Sequence, residues 1–365
     1  MPETPIRLLI AASGTGGHLF PALATAEQLP QYQIEWLGVP DRLETRLVPC
    51  RYQLHTVRIG GFQGRLGLGS LRLCTQLARS VLQVRRLLRQ GQFAGVLTTG
   101  GYIAAPAIIA ARSLGLPAIL HESNALPGKV TRWLSPWCTV VALGFEAASS
   151  YLPKAQCTVV GTPVRSQFLA AAASPRPALG IPEDVPLIVV IGGSQGAVAV
   201  NRLVRQATPA WLKAGIWVVH QTGENDPDAE SLVHEHYLRQ PFFEDMAPLL
   251  LRADLAISRA GAGTLTELSV TGTPAILIPY PFAAEDHQAY NAAAFAAANA
   301  AMVIPQADLS ANLLQDKVSM LLDDRPRLMK MAAAASDLAI PDSAQQLASL
   351  VQQALEPVGG SPNRQ

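Results

Sequence analysis

The chain has 365 residues, 49% hydrophobic and only 15% charged, which is enough for two α/β domains with large cores. No run reaches the roughly 18 apolar residues of a membrane span, and the longest candidate, Ala292 to Ile304, is broken by Asn299. The net charge of +1 hides an asymmetry: residues 1–165 hold 16 basic and 7 acidic side chains, residues 166–365 hold 12 and 20. Between Glu44 and Glu122 stand ten arginines and no acid, a field that draws an anionic ligand or surface to the first half alone. The start of the chain has Glu3 and only a short apolar run, which is not a signal-peptide pattern. Cys50, Cys74, Cys138 and Cys157 show neither CxxC pairing nor metal spacing and read as reduced core cysteines of a cytosolic protein.

In chain order, an apolar run at 6–12 predicts a strand that turns through Ser13-Gly14-Thr15-Gly16-Gly17-His18 into a helix over 18–29. Further strands are expected at 33–37, 53–58, 94–98, 117–121, 139–142 and 157–160, with helices over 70–90, 104–114 and 125–134. The rhythm then repeats, with strands near 186–191, 215–220, 238–242, 254–257, 274–278 and 301–304. Such alternation predicts two parallel sheets covered by helices, an α/β chain of two Rossmann-like domains facing each other across a cleft. A hinge is expected at Gly161-Thr162-Pro163-Val164-Arg165, with a Pro/Ala-rich linker at 172–182. The domains are then 1–163 and 164–356, followed by a disordered tail at 357–365.

The second strand-to-helix turn is Gly192-Gly193-Ser194-Gln195-Gly196-Ala197. Glycine suits both turns because a Cβ would hold the backbone away from a phosphate, although either turn could serve packing alone. Neither is a dinucleotide fingerprint, since Leu19 stands where a third glycine belongs, and no Walker lysine follows. His18 is a poor packing choice at a helix start, where the dipole favours a neutral ring able to accept a proton. Arg259 to Glu267 gives another strand, small-residue turn and helix, with Glu267 expected in the first helical turn, where it could hold a ribose diol or be an ordinary helix-start acid. Pro279-Tyr280-Pro281-Phe282, leading to Gln288, suits a sugar-binding wall or a plain connection. His121-Glu122-Ser123-Asn124 clusters polar groups at a strand's carboxyl end, where α/β folds place ligands. Asp226-Pro227-Asp228 has the form of a metal-holding DxD but lies among Glu224, Asn225 and Glu230, as a solvated loop would. In the helix 70–90, Cys74, Leu77, Val81, Val84 and Leu88 form an apolar stripe among Arg72, Arg79, Arg85, Arg86 and Arg89. A core stripe explains the apolar residues; binding to anionic lipid also explains the missing acids.

Together these motifs are similar to the MurG family of GT-B glycosyltransferases. The likeness runs through Gly14 to Pro21, Thr99-Gly100-Gly101-Tyr102, His121 to Asn124, Gly161 to Arg165, Gly192 to Ala197, Arg259 to Glu267 and Asp286-His287-Gln288. It implies inverting transfer of GlcNAc from UDP-GlcNAc to the 4-hydroxyl of MurNAc-pentapeptide on undecaprenyl pyrophosphate, in peptidoglycan synthesis, with no cofactor or metal required. By resemblance, Ser194 and Arg165 would contact the diphosphate, Phe243 the uracil and Glu267 the ribose. Ala262, Gly263 and Thr264 would offer backbone contacts, and Gln288 and Asn124 would grip the GlcNAc. Thr15, Gly16 and Gly17 would lie near the acceptor's pyrophosphate. The catalytic base would be His18 or Glu122. The implied setting is peripheral, on the cytoplasmic face of the inner membrane, with an anionic membrane surface as partner, no nucleic acid, and room for cell-wall synthesis or division proteins. Ser123 stands where the family usually has Gln, and Lys129-Val130-Thr131 replaces a more usual Leu-Thr-Asn, so the acceptor side is the less firmly carried over. Rival readings are a diacylglycerol glycosyltransferase, a UDP-GlcNAc 2-epimerase and a non-catalytic nucleotide-sugar binder.

Overall fold

The computed structural model describes residues 5–60, 68–172, 180–193 and 196–356, with backbone only at 68–73 and 172. The expected tail at 357–365 and most of the linker at 172–182 lie outside the described residues. The chain forms two compact units, one of Met1–Pro163 with Asp342–Gln365, the other of Val164–Pro341.

The first unit holds β1 (Arg7–Ala11), β2 (Gln33–Gly38), β3 (Gln53–Thr56), β4 (Gly95–Thr98), β5 (Ala118–Glu122), β6 (Val140–Leu143) and β7 (Cys157–Val159). They pair in the order β3-β2-β1-β4-β5-β6-β7, every pair parallel. The second holds β8 (Leu187–Ile191), β9 (Trp217–Gln221), β10 (Tyr237–Gln240), β11 (Leu255–Ser258), β12 (Ala275–Leu277) and β13 (Ala301–Val303). Its order is β10-β9-β8-β11-β12-β13, again all parallel. Every strand expected from the sequence forms within about two residues of its place, because parallel strands buried on both faces leave near-continuous apolar runs. In each sheet the strand order reverses at the centre, between β1 and β4 and between β8 and β11. The loops leaving those four strands are therefore where such a fold accepts ligands.

Side chains alternate across β1. Leu9 and Ala11 join Val84, Leu88, Val96 and Ile108 on one face, while Leu8 and Ile10 join Leu19, Trp36 and Leu347 on the other. Leu347 comes from the helix Ser343–Leu355, which corrects the expected boundary at 356. Its apolar positions Leu347, Ala348 and Val351 are buried against the helix Gly16–Glu27, and Ser343 Oγ donates to the Thr162 carbonyl at 3.1 Å. Gly95 gives this helix room, since a Cβ there would lie 2.4 Å from Leu355 Cδ2.

Two further expectations change. Cys50 and Cys74 are exposed rather than core residues, while Cys138 and Cys157 are half-buried. In the helix Leu68–Gln90 only the C-terminal part of the expected stripe is sealed: Val84 and Leu88 are buried and Val81 packs beside them, but Cys74 faces solvent. Among the described residues no helix is long and apolar enough to cross a membrane.

Leu347→Ala should lower the stability of the first unit by about 3 kcal/mol, read as an earlier urea transition. An unchanged midpoint would show that this helix contributes no packing.

Candidate functional site

The first glycine turn is held from beneath by a carboxylate. Glu44 is fully buried; its Oε2 accepts from Gly14 N at 3.2 Å and its Oε1 from Val39 N at 2.7 Å, tying the ends of β1 and β2 together. Gly14 adopts φ 103°, a conformation that excludes most side chains. Thr15 precedes the helix Gly16–Glu27, so Gly16, Gly17 and His18 form its first turn. A surface pocket lies over this turn, lined by Ser13, Gly14, Thr15, His18, Val39, Arg42, Ile59, Gly101 and Tyr102. Of these, Arg42 alone carries a fixed positive charge. Arg42 and Glu44 escaped the sequence reading because an isolated Asp-Arg-Leu-Glu stretch has no periodicity or known spacing to mark it.

His18 is oriented by the loop after β4. Its Nδ1 lies 2.8 Å from the Thr99 carbonyl, which can only accept, while Thr99 Oγ1 donates back to the His18 carbonyl at 2.7 Å. The neutral ring therefore carries its proton on Nδ1 and presents a lone pair at Nε2. Gly100, at φ 101°, makes this fit, since a Cβ there would come within 3.1 Å of the imidazole.

Glu122 is differently engaged. Its Oε1 accepts from Asn124 N and Asn124 Nδ2, both at 3.0 Å, and its Oε2 from Gly128 N at 3.1 Å and Thr131 Oγ1 at 2.7 Å. These four bonds use the acceptor capacity of a carboxylate. Glu122 thus anchors the 124–131 turn and orients Asn124. Neighbouring His121 is fully buried, which lowers its pKa despite the bond between Nε2 and the Gly161 carbonyl.

In the second unit, Ser194 lies outside the described residues. The helix Ala262–Thr271 starts at Ala262, so Ala262, Gly263 and Thr264 supply its first turn. Glu267 falls in the second turn rather than the first, beyond the strongest part of the dipole. Burial raises its pKa, and Arg165, whose Nη2 donates to Glu267 Oε1 at 2.8 Å, opposes that shift. Gln288 bridges two loops, its Oε1 accepting from Ala260 N at 3.2 Å and from Tyr280 N at 3.0 Å. Just before it, Glu285 and Asp286 adopt left-handed backbone at φ 52° and 59°, a strained arrangement for side chains other than glycine. Arg259 binds the carbonyls of Ile278 and Pro279 and the Gln306 side chain, fixing the Pro279–Phe282 segment. Phe243, on the loop after β10, donates its backbone N–H to Gln221 Oε1 at 3.2 Å.

Residues 8–143 match the glycosyltransferase family 28 N-terminal domain and residues 187–347 its C-terminal domain. A relative from Nostoc sp., named UDP-N-acetylglucosamine--N-acetylmuramyl-(pentapeptide) pyrophosphoryl-undecaprenol N-acetylglucosamine transferase, is 64% identical over 356 residues, 98% of this chain and 100% of the relative. The chain belongs to this family, MurG. The crystal structure of Acinetobacter baumannii MurG superposes with a TM-score of 0.75 at 31% identity, covering 96% of this chain and 100% of that one. The calicheamicin glycosyltransferase CalG4, at 14% identity and a TM-score of 0.70 over 98% of this chain and 100% of its own, shares the fold alone. The architecture is thus GT-B, and the chain is a glycosyltransferase of the MurG family with one Rossmann-like sheet in each unit.

Within this MurG chain the structure gathers His18, Thr15, Gly16 and Gly17 at one loop, Glu122 and Asn124 at a second, and Arg165 with Glu267 in the other unit. Among the described residues no group of three or more His, Cys, Asp or Glu side chains is arranged to hold a metal ion. Glu122→Gln would set an NH2 group against hydrogen-bond donors. It should lower kcat by about 10–100-fold while the pH–rate profile keeps its shape, because an anchor rather than a proton acceptor is lost. Disappearance of one limb of that profile would instead assign Glu122 the role of base.

Proposed function

We infer that the protein moves GlcNAc from UDP-GlcNAc to the 4-hydroxyl of MurNAc-pentapeptide-pyrophosphoryl-undecaprenol, inverting the anomeric centre. The full-length match to relatives named for this transfer carries the reading, at 64% identity over 98% of the chain. The acceptor oxygen attacks C1 of GlcNAc as the C1–O bond to UDP breaks, and UDP leaves with the electron pair. His18 serves as the base, its Nε2 taking the proton of the attacking hydroxyl. The ring's fixed tautomer and its place over the first glycine turn support this role. Arg42 and the first turn at Gly16 and Gly17 suit the acceptor's pyrophosphate. The donor would lie on the second unit, its ribose at Glu267, its uracil at Phe243, its sugar at Gln288, with Ser194, Arg165 and the amides of Ala262, Gly263 and Thr264 toward the diphosphate. Developing charge on UDP is met by that helix start.

The first unit works against an anionic membrane surface on its cytoplasmic side. The helix Leu68–Gln90 exposes Leu82 beside Arg79, Arg86 and Arg89, and the helix Lys129–Leu134 exposes Trp133 next to Arg132. Both helices cover the same face of the sheet, so apolar and basic groups share one layer.

Radiolabelled GlcNAc transfer to a short-chain lipid-linked MurNAc-pentapeptide, with EDTA present, tests the function and its independence from a metal. Product is the expected result. Product from diacylglycerol alone, or epimerised UDP-sugar with no acceptor consumed, would overturn the assignment. In the same assay His18→Ala should lower kcat by about 100–1000-fold with unchanged UDP affinity. Exchanging Arg79, Arg85 and Arg86 for Glu should release the protein from anionic vesicles, at about 1 kcal/mol for each basic residue near the surface, without weakening UDP binding. Vesicle binding equal to wild type would leave that helix a purely structural role.

A further inference from the structure

Asp226 does not lie in a solvated loop, as the surrounding acids suggest. Its side chain is fully enclosed and takes both Arg205 Nη1, at 2.6 Å, and Nη2, at 3.0 Å, along with Asn201 Nδ2 at 2.7 Å. The turn closes with Asp228 N on Asp226 Oδ1 at 3.1 Å. Burial alone would raise the Asp226 carboxyl, but Arg205 and Asn201 outweigh it and hold the group below the usual carboxylate range.

Bond directions leave this network one arrangement. Asn201 Nδ2 faces the Asp226 carboxylate and, at 2.7 Å, the Thr222 carbonyl, both of which only accept. Asn201 Oδ1 must therefore accept from His220 Nε2, 3.1 Å away, which puts the His220 proton on Nε2. His220 Nδ1 then accepts from the Tyr237 hydroxyl at 2.8 Å. Burial pushes His220 down to about 3 and the Tyr237 hydroxyl up to about 12, so neither ionises near neutral pH.

The network holds Gln221–Gly223 at the end of β9. On one side Thr222 N and Gly223 N donate to the carbonyls of Gln240 and Pro241, both at 3.0 Å, and Gln221 Oε1 accepts from Phe243 N at 3.2 Å. On the other, Asn201 N donates to the Ala197 carbonyl at 2.8 Å. Gly196, at φ 75°, lies so close that a Cβ would sit 2.6 Å from the Thr222 carbonyl. One strand end therefore sets both the last residues of the second glycine turn and the loop that carries Phe243.

We propose that Asn201, Arg205 and Asp226 are positioning residues of the donor site, fixing Gly196 and Ala197, the last residues of the second glycine turn, relative to the uracil loop through the end of β9. This rests on the donor placement given under Proposed function. A buried ion pair adds little stability over apolar side chains of equal volume, whereas its fixed bond directions specify one register for the segment between them.

The test uses the full-length variants Asp226→Asn, Arg205→Lys and Tyr237→Phe, read by calorimetric titration with UDP and by steady-state kinetics. For Asp226→Asn the UDP Kd and the UDP-GlcNAc KM should rise about tenfold, and for Tyr237→Phe about threefold, with kcat and acceptor KM within about twofold of wild type. Arg205→Lys, which keeps the charge but loses the paired bond, should fall between them. A merely structural network would lower Tm and yield while the folded fraction bound UDP with wild-type affinity, and that result overturns the proposal. If Asp226→Asn does not fold, Tyr237→Phe, which removes one hydroxyl, decides by the same criterion. UDP titration needs no acceptor, so failure of transfer to the lipid-linked acceptor would count against the function above and leave this test intact.

Discussion

Loops that leave the carboxyl ends of parallel strands carry backbone N–H groups with no partner in the sheet, and such groups are costly to bury unmatched. In this protein buried carboxylates take them up. Glu44 accepts from Gly14 and Val39, Glu122 from Asn124 and Gly128, and Asp226 from Asp228. Glu44 and Asp226 crosslink segments far apart in the chain and Glu122 ties together the 124–131 turn that follows it, so each loop has a defined course before any ligand arrives. The glycines at 14, 100 and 196 are the other half of the same constraint, because the held backbone leaves no space or no permitted φ for a side chain.

That division of labour separates groups that hold from groups that can react. Glu122 has spent its oxygens on the 124–131 turn, whereas His18 spends only Nδ1 on the Thr99 carbonyl and keeps Nε2. Arg259 binds two carbonyls and Gln306, and Arg205 is absorbed by Asp226, so neither presents an open cation. Arg42 over the first glycine turn is differently placed, with its charge at the pocket lining. On the proposed assignment, the basic first half meets an anionic acceptor through a few side chains and a helix start, and the acidic second half binds UDP through backbone groups.

The sheet order explains why these features fall where they do. Reversal beside β1 and beside β8 leaves the following loops without a crossover above them, and both glycine turns leave from those strands. The helix Ser343–Leu355 completes the first unit by covering Leu19 and Ile10, although it follows the whole second unit in the chain. An amphipathic helix seals whichever apolar face it reaches, and nothing in its own pattern names that face.

Much of this was legible in the residues themselves. Apolar runs of strand length, separated by helix-length segments, determine the thirteen strands among the described residues and the α/β class, because burial of a parallel strand demands that composition. The glycine turns and His18 stand out for a similar reason: local backbone geometry and helix starts are written in adjacent residues. The roles of Glu44, Glu122 and Asp226 were decided only by tertiary structure. A lone acid looks alike in sequence whether it faces water or donors: Gly14 is 30 residues from Glu44 and Arg205 is 21 from Asp226, and even the donors to Glu122, two to nine residues on, converge only once the 124–131 turn has formed. Pairing across such separations depends on which strands become neighbours, and that is settled by the packing of the whole sheet rather than by any window of the chain.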